Sequence, residues 1–190
     1  MWVELAAAVI FALLYWHYGL SAELGVMAFY ACIFIITFVI DLEHGLILNK
    51  VVYPSMVVAL LLALLPQSWL IQETWLTQVI KPGIASAALG GAVGFAVFLL
   101  IALVSRGGMG WGDVKLAALM GLAIGFPLVF LAIIMAAILG GIVAVALMIA
   151  KKRTRRQTIP FGPFLALAAM VTLLWGSDIL NWYLRLTHLV

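Results

Sequence analysis

Residues 107–115 read Gly-Gly-Met-Gly-Trp-Gly-Asp-Val-Lys, and they separate two long apolar runs of the chain. This stretch places a carboxylate, Asp113, at the start of the second run. An ionisable group at a membrane boundary is energetically unfavourable, so it is by default a candidate for function. The glycines around it leave the backbone free to bend and to approach a substrate closely. The alternative for Asp113 alone is a helix N-cap, a structural role that involves no chemistry.

The composition indicates a polytopic membrane protein. Hydrophobic residues occupy 67% of the 190 positions and charged residues only 9%, whereas a soluble domain must also present a charged surface. At roughly 20 residues per crossing, the length fits about seven spans and no separate soluble domain. We therefore predict that residues 1–190 form a single membrane-embedded, all-α helical bundle, with spans near 2–18, 24–40, 51–65, 82–104, 113–125, 127–150 and 159–176. The small residues Ser86, Gly90 and Gly94 recur every four positions, which predicts a face where another helix packs closely.

The basic residues predict the orientation of this bundle. Alternation of seven spans places the loops 41–50, 105–113 and 151–158 on one side of the membrane. Of the ten lysines and arginines, Lys81 and Arg185 lie on the other side, and the predicted loop side carries the remaining eight: Lys50, Arg106, Lys115, Lys151, Lys152, Arg153, Arg155 and Arg156. The positive-inside rule makes the crowded side cytoplasmic. A second acid, Asp41, closes an apolar run on that same side, so we predict that Asp41 and Asp113 form one site at the cytoplasmic face of the plasma (inner) membrane.

Several kinds of protein are excluded by what the sequence lacks. The net charge of +3 is too small to indicate a nucleic-acid partner, and the single cysteine, Cys32, provides neither a disulfide framework nor a thiol metal site. The histidines are scattered, there is no His-Glu-x-x-His motif, and no serine lies in a nucleophile elbow. We therefore expect no metal and no cofactor. The oligomeric state does not follow from the sequence.

Two carboxylates at one membrane depth can carry out acid–base chemistry on a water molecule. An ionised carboxylate takes the proton, while a protonated one polarises a carbonyl. The alternative is a proton- or cation-coupled membrane transporter that uses Asp41 and Asp113, since transporters also contain intramembrane acids. Transporters usually carry internal repeats with helices broken near the midplane. The sequence shows no such repeat, and both acids lie at predicted helix ends.

Two motifs resemble those of known membrane proteases. Residues 110–113, Gly-Trp-Gly-Asp, fit the Gly-x-Gly-Asp motif of intramembrane aspartic proteases. The longer string 108–117, Gly-Met-Gly-Trp-Gly-Asp-Val-Lys-Leu-Ala, is similar to that of bacterial type IV prepilin peptidases. Presenilin-like proteases pair the same motif with Tyr-Asp and Pro-Ala-Leu, and neither string occurs here.

The resemblance to prepilin peptidases extends over essentially the whole chain. Asp41, followed by Ile47 and Asn49, is similar to the family's first motif, although Leu48 stands where the family usually has proline. Residues 159–164, Ile-Pro-Phe-Gly-Pro-Phe, resemble the opening of the family's last span.

The resemblance implies an aspartic endopeptidase that removes the basic leader from type IV prepilins or pseudopilins, the subunits of type IV pili and type II secretion systems. The substrate and the lipid bilayer would then be its partners. Asp41 and Asp113 would be catalytic, and Gly110 and Gly112 would form the motif backbone. Three nearby polar residues are accessory candidates, with solvated or topology-setting roles as their alternatives: Lys115, Glu43 and His44.

One departure from the family concerns methylation. Full bacterial members carry an additional N-terminal span and a cytoplasmic domain with paired Cys-x-x-Cys motifs, a region associated with methylating the new N-terminus. This chain has only Cys32. Either it is a peptidase-only form, or it is the C-terminal part of a longer protein. For these residues we expect neither methyltransferase activity nor zinc.

Overall fold

The computed structural model describes residues 2–64, 83–105, 108–150 and 160–186. These ranges contain α-helices and no strand, which confirms the all-α prediction. In chain order the helices are α1 (Trp2–Tyr18), α2 (Ala22–His44), α3 (Asn49–Leu62), α4 (Ile84–Val104), α5 (Trp111–Ile124), α6 (Val129–Ile149) and α7 (Gly162–Leu186).

The lengths of the helices confirm a helical membrane bundle. Four of them, α2, α4, α6 and α7, are long and apolar enough to cross a membrane, while α1 and α3 are shorter apolar helices. Helix α5 has 14 residues, which corresponds to roughly 21 Å. It is therefore shorter than the hydrocarbon thickness and needs its neighbours to shield its ends.

Helix α5 lies at the centre of the bundle. It packs most extensively against α4, and it also contacts α3, α6 and α7. Its side chains Val114, Leu116, Ala117, Leu119 and Met120 are fully buried. A helix that is apolar on nearly all sides is the pattern of a core helix. The packing around α5 therefore determines where its first turn, which carries Asp113, is held.

Small residues bring α4 and α5 into close contact. A methyl group added at Gly90 would overlap the backbone carbonyl oxygen of Gly121, and one added at Gly94 would overlap another carbonyl oxygen of α5. Ser86 Oγ donates to the Phe126 carbonyl at 2.9 Å and accepts from the Phe126 N–H at 3.1 Å, which joins the start of α4 to the segment after α5. The packing face predicted from the spacing of Ser86, Gly90 and Gly94 is confirmed.

The end of α2 differs from the prediction. The helix does not stop before Asp41 but continues to His44, so the connection to α3 contains only residues 45–48. Gly45 ends the helix in the left-handed conformation, with φ 63° and ψ 31°, and its N–H donates to the Asp41 carbonyl at 2.9 Å. This is a glycine C-cap. Asp41 therefore lies in the last turn of α2 rather than in a surface loop.

The end of α7 also differs from the prediction, because the helix continues past Gly176 to Leu186 without a break. Residues 177–186 contain no glycine or proline that would stop it, and Leu184 is buried. Arg106, Lys81 and the basic run 151–156 lie outside the described residues, so the orientation of the bundle stays a prediction.

Candidate active site

Asp41 presents a buried carboxylate to the start of α7. Its side chain is only 4% exposed. A methyl group added at Gly162 would overlap Asp41 Oδ2 and lie 3.0 Å from Cγ, so the carboxylate rests directly on the glycine backbone. The N–H of Gly162 interacts with this carboxylate, but Oδ2 forms no hydrogen bond of good geometry with any described residue. A buried oxygen without a partner is unfavourable, so Asp41 Oδ2 keeps an unused capacity to accept a hydrogen bond.

Asp113 is the third residue of α5. The N-cap of this helix is Gly110, with φ −75° and ψ 146°, so the alternative in which Asp113 is itself the N-cap does not hold. The Asp113 N–H donates to the Gly110 carbonyl at 3.1 Å, and the Gly110 N–H interacts with the Asp113 carboxylate. An acidic side chain at this third position supports a helix start, as in a capping box. Asp113 therefore contributes to the helix start while its half-buried carboxylate remains at the site.

The Asp41 and Asp113 carboxylates interact electrostatically. They are close enough for their charges to repel each other, although they come from the last turn of α2 and the first turn of α5. Two carboxylates that share a site favour a state in which one is ionised and the other protonated. That state is the one required to take a proton from water and to polarise a carbonyl at the same time.

The two motif glycines differ in their surroundings. A methyl group at Gly112 would lie 2.9 Å from the Cβ of Ile47, so a side chain at this position would displace the loop that follows α2. A methyl group at Gly110 would meet nothing closer than Asp113 Oδ2 at 3.7 Å. Of the two predicted backbone positions, Gly112 has a steric reason to be glycine.

Gly162 is a site residue that we did not single out from the sequence. The string 159–164 resembles the opening of a span, but that resemblance does not connect its glycine with Asp41. The available signal is a glycine between two prolines at a helix start, because Pro160 and Pro163 lack N–H groups and the Gly162 N–H is one of only two donors between them.

The accessory candidates lie away from the carboxylate pair. Lys115 Nζ donates to Asn49 Oδ1 at 3.0 Å and lies 5.2 Å from the centre of the Tyr53 ring, so it connects α5 to α3. Glu43 and His44 are exposed on the last turn of α2, and no hydrogen bond or ion pair joins them to another described side chain. Glu43 follows Asp41 by two positions, which is about 200° around a helix, and so it faces away from the site.

A cavity of about 340 Å³ lies at the opposite end of the helices from the carboxylates. Its lining includes Tyr30 of α2 and Ile124 of α5. Each lies 11 residues along its helix from the nearby aspartate, which corresponds to roughly 16 Å. This cavity is therefore separate from the candidate site. The described residues contain no group of three or more His, Cys, Asp and Glu side chains that could hold a metal ion.

Comparison with known proteins finds relatives of this sequence. The sequence model of the type IV leader peptidase family matches residues 28–145, a range that contains both aspartates. The prepilin leader peptidase/N-methyltransferase of Stutzerimonas stutzeri is 30% identical over 188 residues, covering 98% of this chain and 62% of the relative. The protein of the same name from Pseudomonas aeruginosa is 30% identical, covering 96% of this chain and 60% of the relative. That of Bacillus subtilis is 28% identical, with coverages of 96% and 68%.

The chain thus spans about three fifths of the length of the first two relatives. No solved structure matches it.

Proposed function

The chain belongs to the type IV leader peptidase family, and we propose that it is an aspartic endopeptidase that removes the basic leader from type IV prepilins or pseudopilins. The observation that carries the proposal is the pairing of Asp41 with Asp113. A buried carboxylate with an unpartnered oxygen interacts with a second carboxylate brought from a distant part of the sequence.

The proposed chemistry needs only these two side chains and one water molecule. The ionised carboxylate takes a proton from the water as its oxygen attacks the scissile carbonyl carbon. The protonated carboxyl group donates its proton to the carbonyl oxygen, which gives a neutral tetrahedral intermediate. Collapse of the intermediate breaks the C–N bond, and the carboxyl group that received the water proton delivers it to the leaving amine. The other carboxylate takes back a proton from the hydroxyl group that becomes the new carbonyl. The pair then holds one proton, as at the start.

The position of the pair suits a substrate that crosses the membrane surface. A prepilin has a short basic leader followed by an apolar helix, so the bond to be cut lies where the leader meets the bilayer. Asp41 and Asp113 lie at the ends of their helices rather than in the middle. We propose that these ends face the cytoplasm, because the loops predicted on this side carry most of the basic residues.

The same helix ends argue against a transporter. A coupling site in a transporter is typically formed by helices that are broken near the bilayer midplane. In the described residues α2 is continuous from Ala22 to His44 and α5 from Trp111 to Ile124, and each aspartate lies in a terminal turn. Ion-driven uptake by liposomes containing the purified protein, lost in Asp41→Asn, would favour the transporter instead.

Cleavage of a prepilin by the purified protein tests the proposal. Protein in detergent should shorten the prepilin by the mass of its leader, as measured by mass spectrometry. Asp41→Asn and Asp113→Asn should each abolish cleavage while the protein remains folded. Asp178→Asn is the matched control, since Asp178 is an exposed acid late in α7 and should leave cleavage unchanged. Near wild-type cleavage by either site variant would show that the two-aspartate mechanism is wrong.

Cysteine labelling at the two ends of α2 tests the orientation. Leu20 lies two residues before α2 and Glu43 lies in its last turn, and both are exposed. Cys32 is replaced by alanine to remove the native thiol. We expect a membrane-impermeant maleimide to label Glu43→Cys only from the cytoplasmic side and Leu20→Cys only from the outside. The reverse pattern would place both aspartates on the wrong side for a cytoplasmic leader.

A further inference from the structure

Ile47 is the inward-facing residue of the short connection between α2 and α3. Its neighbours Gly45, Leu46 and Leu48 are exposed, whereas Ile47 is half-buried and packs against the main hydrophobic core. An apolar side chain that alone turns inward from a four-residue loop fixes the position of that loop by its packing.

The Ile47 side chain contacts both helix ends that surround the carboxylates. On one side it lies against Gly112 of α5, where an added methyl group would be 2.9 Å from Ile47 Cβ and 3.3 Å from Cδ1. On the other side it lies against Gly162 of α7, where an added methyl group would be 3.1 Å from Ile47 Cδ1. Gly112 immediately precedes Asp113, and Gly162 supports the Asp41 carboxylate. A single side chain thus lies between the backbone segments that place the two acids.

A hydrogen bond holds the same loop against the same helix. Asn49, which begins α3 two residues after Ile47, accepts from Lys115 Nζ at 3.0 Å. Lys115 follows Asp113 by two residues. The loop is therefore attached to the first turns of α5 by one apolar contact at Gly112 and one polar contact at Lys115, and only the apolar contact continues to Gly162.

We propose that Ile47 is a positioning residue that sets the separation between the Asp41 and Asp113 carboxylates. The inference rests on the proposed peptidase function, and it assigns Ile47 no contact with the substrate. Because protein interiors are close-packed, removing this side chain leaves a gap that the three helix ends can close only by moving. A misplacement of about 1 Å in a catalytic arrangement costs on the order of 10²-fold in rate.

The proposal predicts graded kinetic effects at this position. Ile47→Ala removes Cδ1, which lies against Gly162, and also Cγ1, which lies against Gly112, and it retains only Cβ. We therefore expect kcat to fall about 10- to 100-fold, with KM within about threefold of the wild-type value. Ile47→Val removes only Cδ1 and should lower kcat less than Ile47→Ala does. Leu46→Ala and Leu48→Ala are the matched controls, since both side chains belong to the same loop but are exposed. Both controls should keep wild-type kcat.

The distance between two spin labels reports the relative positions of the ends of α2 and α5 directly, and its measurement requires no substrate. Spin labels are attached to Glu43→Cys and Trp111→Cys in the Cys32→Ala background, because both residues are exposed and belong to the helix turns that carry the acids. With electron paramagnetic resonance, we expect Ile47→Ala to shift or broaden the label–label distance by about 1 Å or more. Leu48→Ala should leave the distance unchanged.

The kinetic measurement and the label–label distance together test the positioning role of Ile47. A lower kcat together with a changed distance in Ile47→Ala, both smaller in Ile47→Val, supports the positioning role. The inference is overturned if Ile47→Ala keeps the wild-type distance, or if the distance changes while kcat does not. If Ile47→Ala does not fold, the same criteria apply to Ile47→Val against Leu48→Ala. Failure of the wild-type protein to cleave a prepilin would refute the proposed function instead, and the label distance would still show whether Ile47 holds the helix ends.

Discussion

Gly162→Ala should remove most of the catalytic activity without unfolding the protein. The new methyl group would overlap Asp41 Oδ2 and lie 3.0 Å from Asp41 Cγ. Carbon atoms in favourable contact are about 3.5–4.0 Å apart, so the carboxylate and α7 must separate by about 0.5–1 Å. A displacement of this size costs on the order of 10²-fold in rate, or about 2.7 kcal/mol at 1.36 kcal/mol for each factor of ten. We therefore expect kcat to fall about 100-fold.

The assay follows prepilin cleavage by mass spectrometry over a range of substrate concentrations, so that kcat and KM are separated. Gly141→Ala is the matched control: Gly141 is a helix glycine of α6 where an added methyl group would meet nothing within 4 Å. The control should keep kcat within about twofold of the wild-type value. If Gly162→Ala also keeps kcat within about threefold, the position of the Asp41 carboxylate does not depend on this contact, and the reasoning is refuted.

Three further predictions follow from packing and exposure. Gly121→Ala should lower the free energy of unfolding by about 1–3 kcal/mol, because its methyl group would overlap a backbone carbonyl of α4. A melting temperature in detergent equal to that of Gly141→Ala would contradict the close packing of α4 and α5. Lys115→Met should lower the free energy of unfolding by about 1 kcal/mol through loss of its hydrogen bond to α3, with kcat reduced less than tenfold; a complete loss of cleavage in the folded variant would instead indicate a direct role. The double variant Glu43→Gln/His44→Ala should cleave a prepilin at about the wild-type rate, since both side chains are exposed, and a loss of tenfold or more would bring them back as accessory residues.

The apolar runs and the spacing of small residues were sufficient to predict the helical bundle and the α4–α5 contact. Both features depend on the local amino-acid composition, which can be read directly from the sequence. The end of α2 was not predictable in this way, because Asp41 and Glu43 resemble the start of a polar loop. The helix in fact continues until Gly45 adopts a left-handed conformation, and hydropathy does not report where a C-cap forms.

The site was predictable to the extent that it depends on topology. Alternating spans placed Asp41 and Asp113 on the same side, and the interaction of their charges agrees with that placement. The supporting contacts of Gly162 and Ile47 were not predictable, since they join segments that are far apart in the chain. Such contacts depend on how the helices pack, and a single sequence does not specify the distance between two helix ends.

The central claim is that Asp41 and Asp113 act as one catalytic unit, and a comparison of single and double variants tests it most directly. Single-turnover cleavage of a prepilin is measured for Asp41→Asn, for Asp113→Asn and for the double variant, each confirmed to be folded. When two residues act as one catalytic unit, removing either of them abolishes most of the shared effect. The rate losses of the two single variants then do not multiply in the double variant. We predict that each single variant is slower by at least about 10³-fold and that the double variant is no slower than the single variants. A single variant within about tenfold of the wild-type rate, or a double variant slowed by the product of the two losses, would contradict the claim.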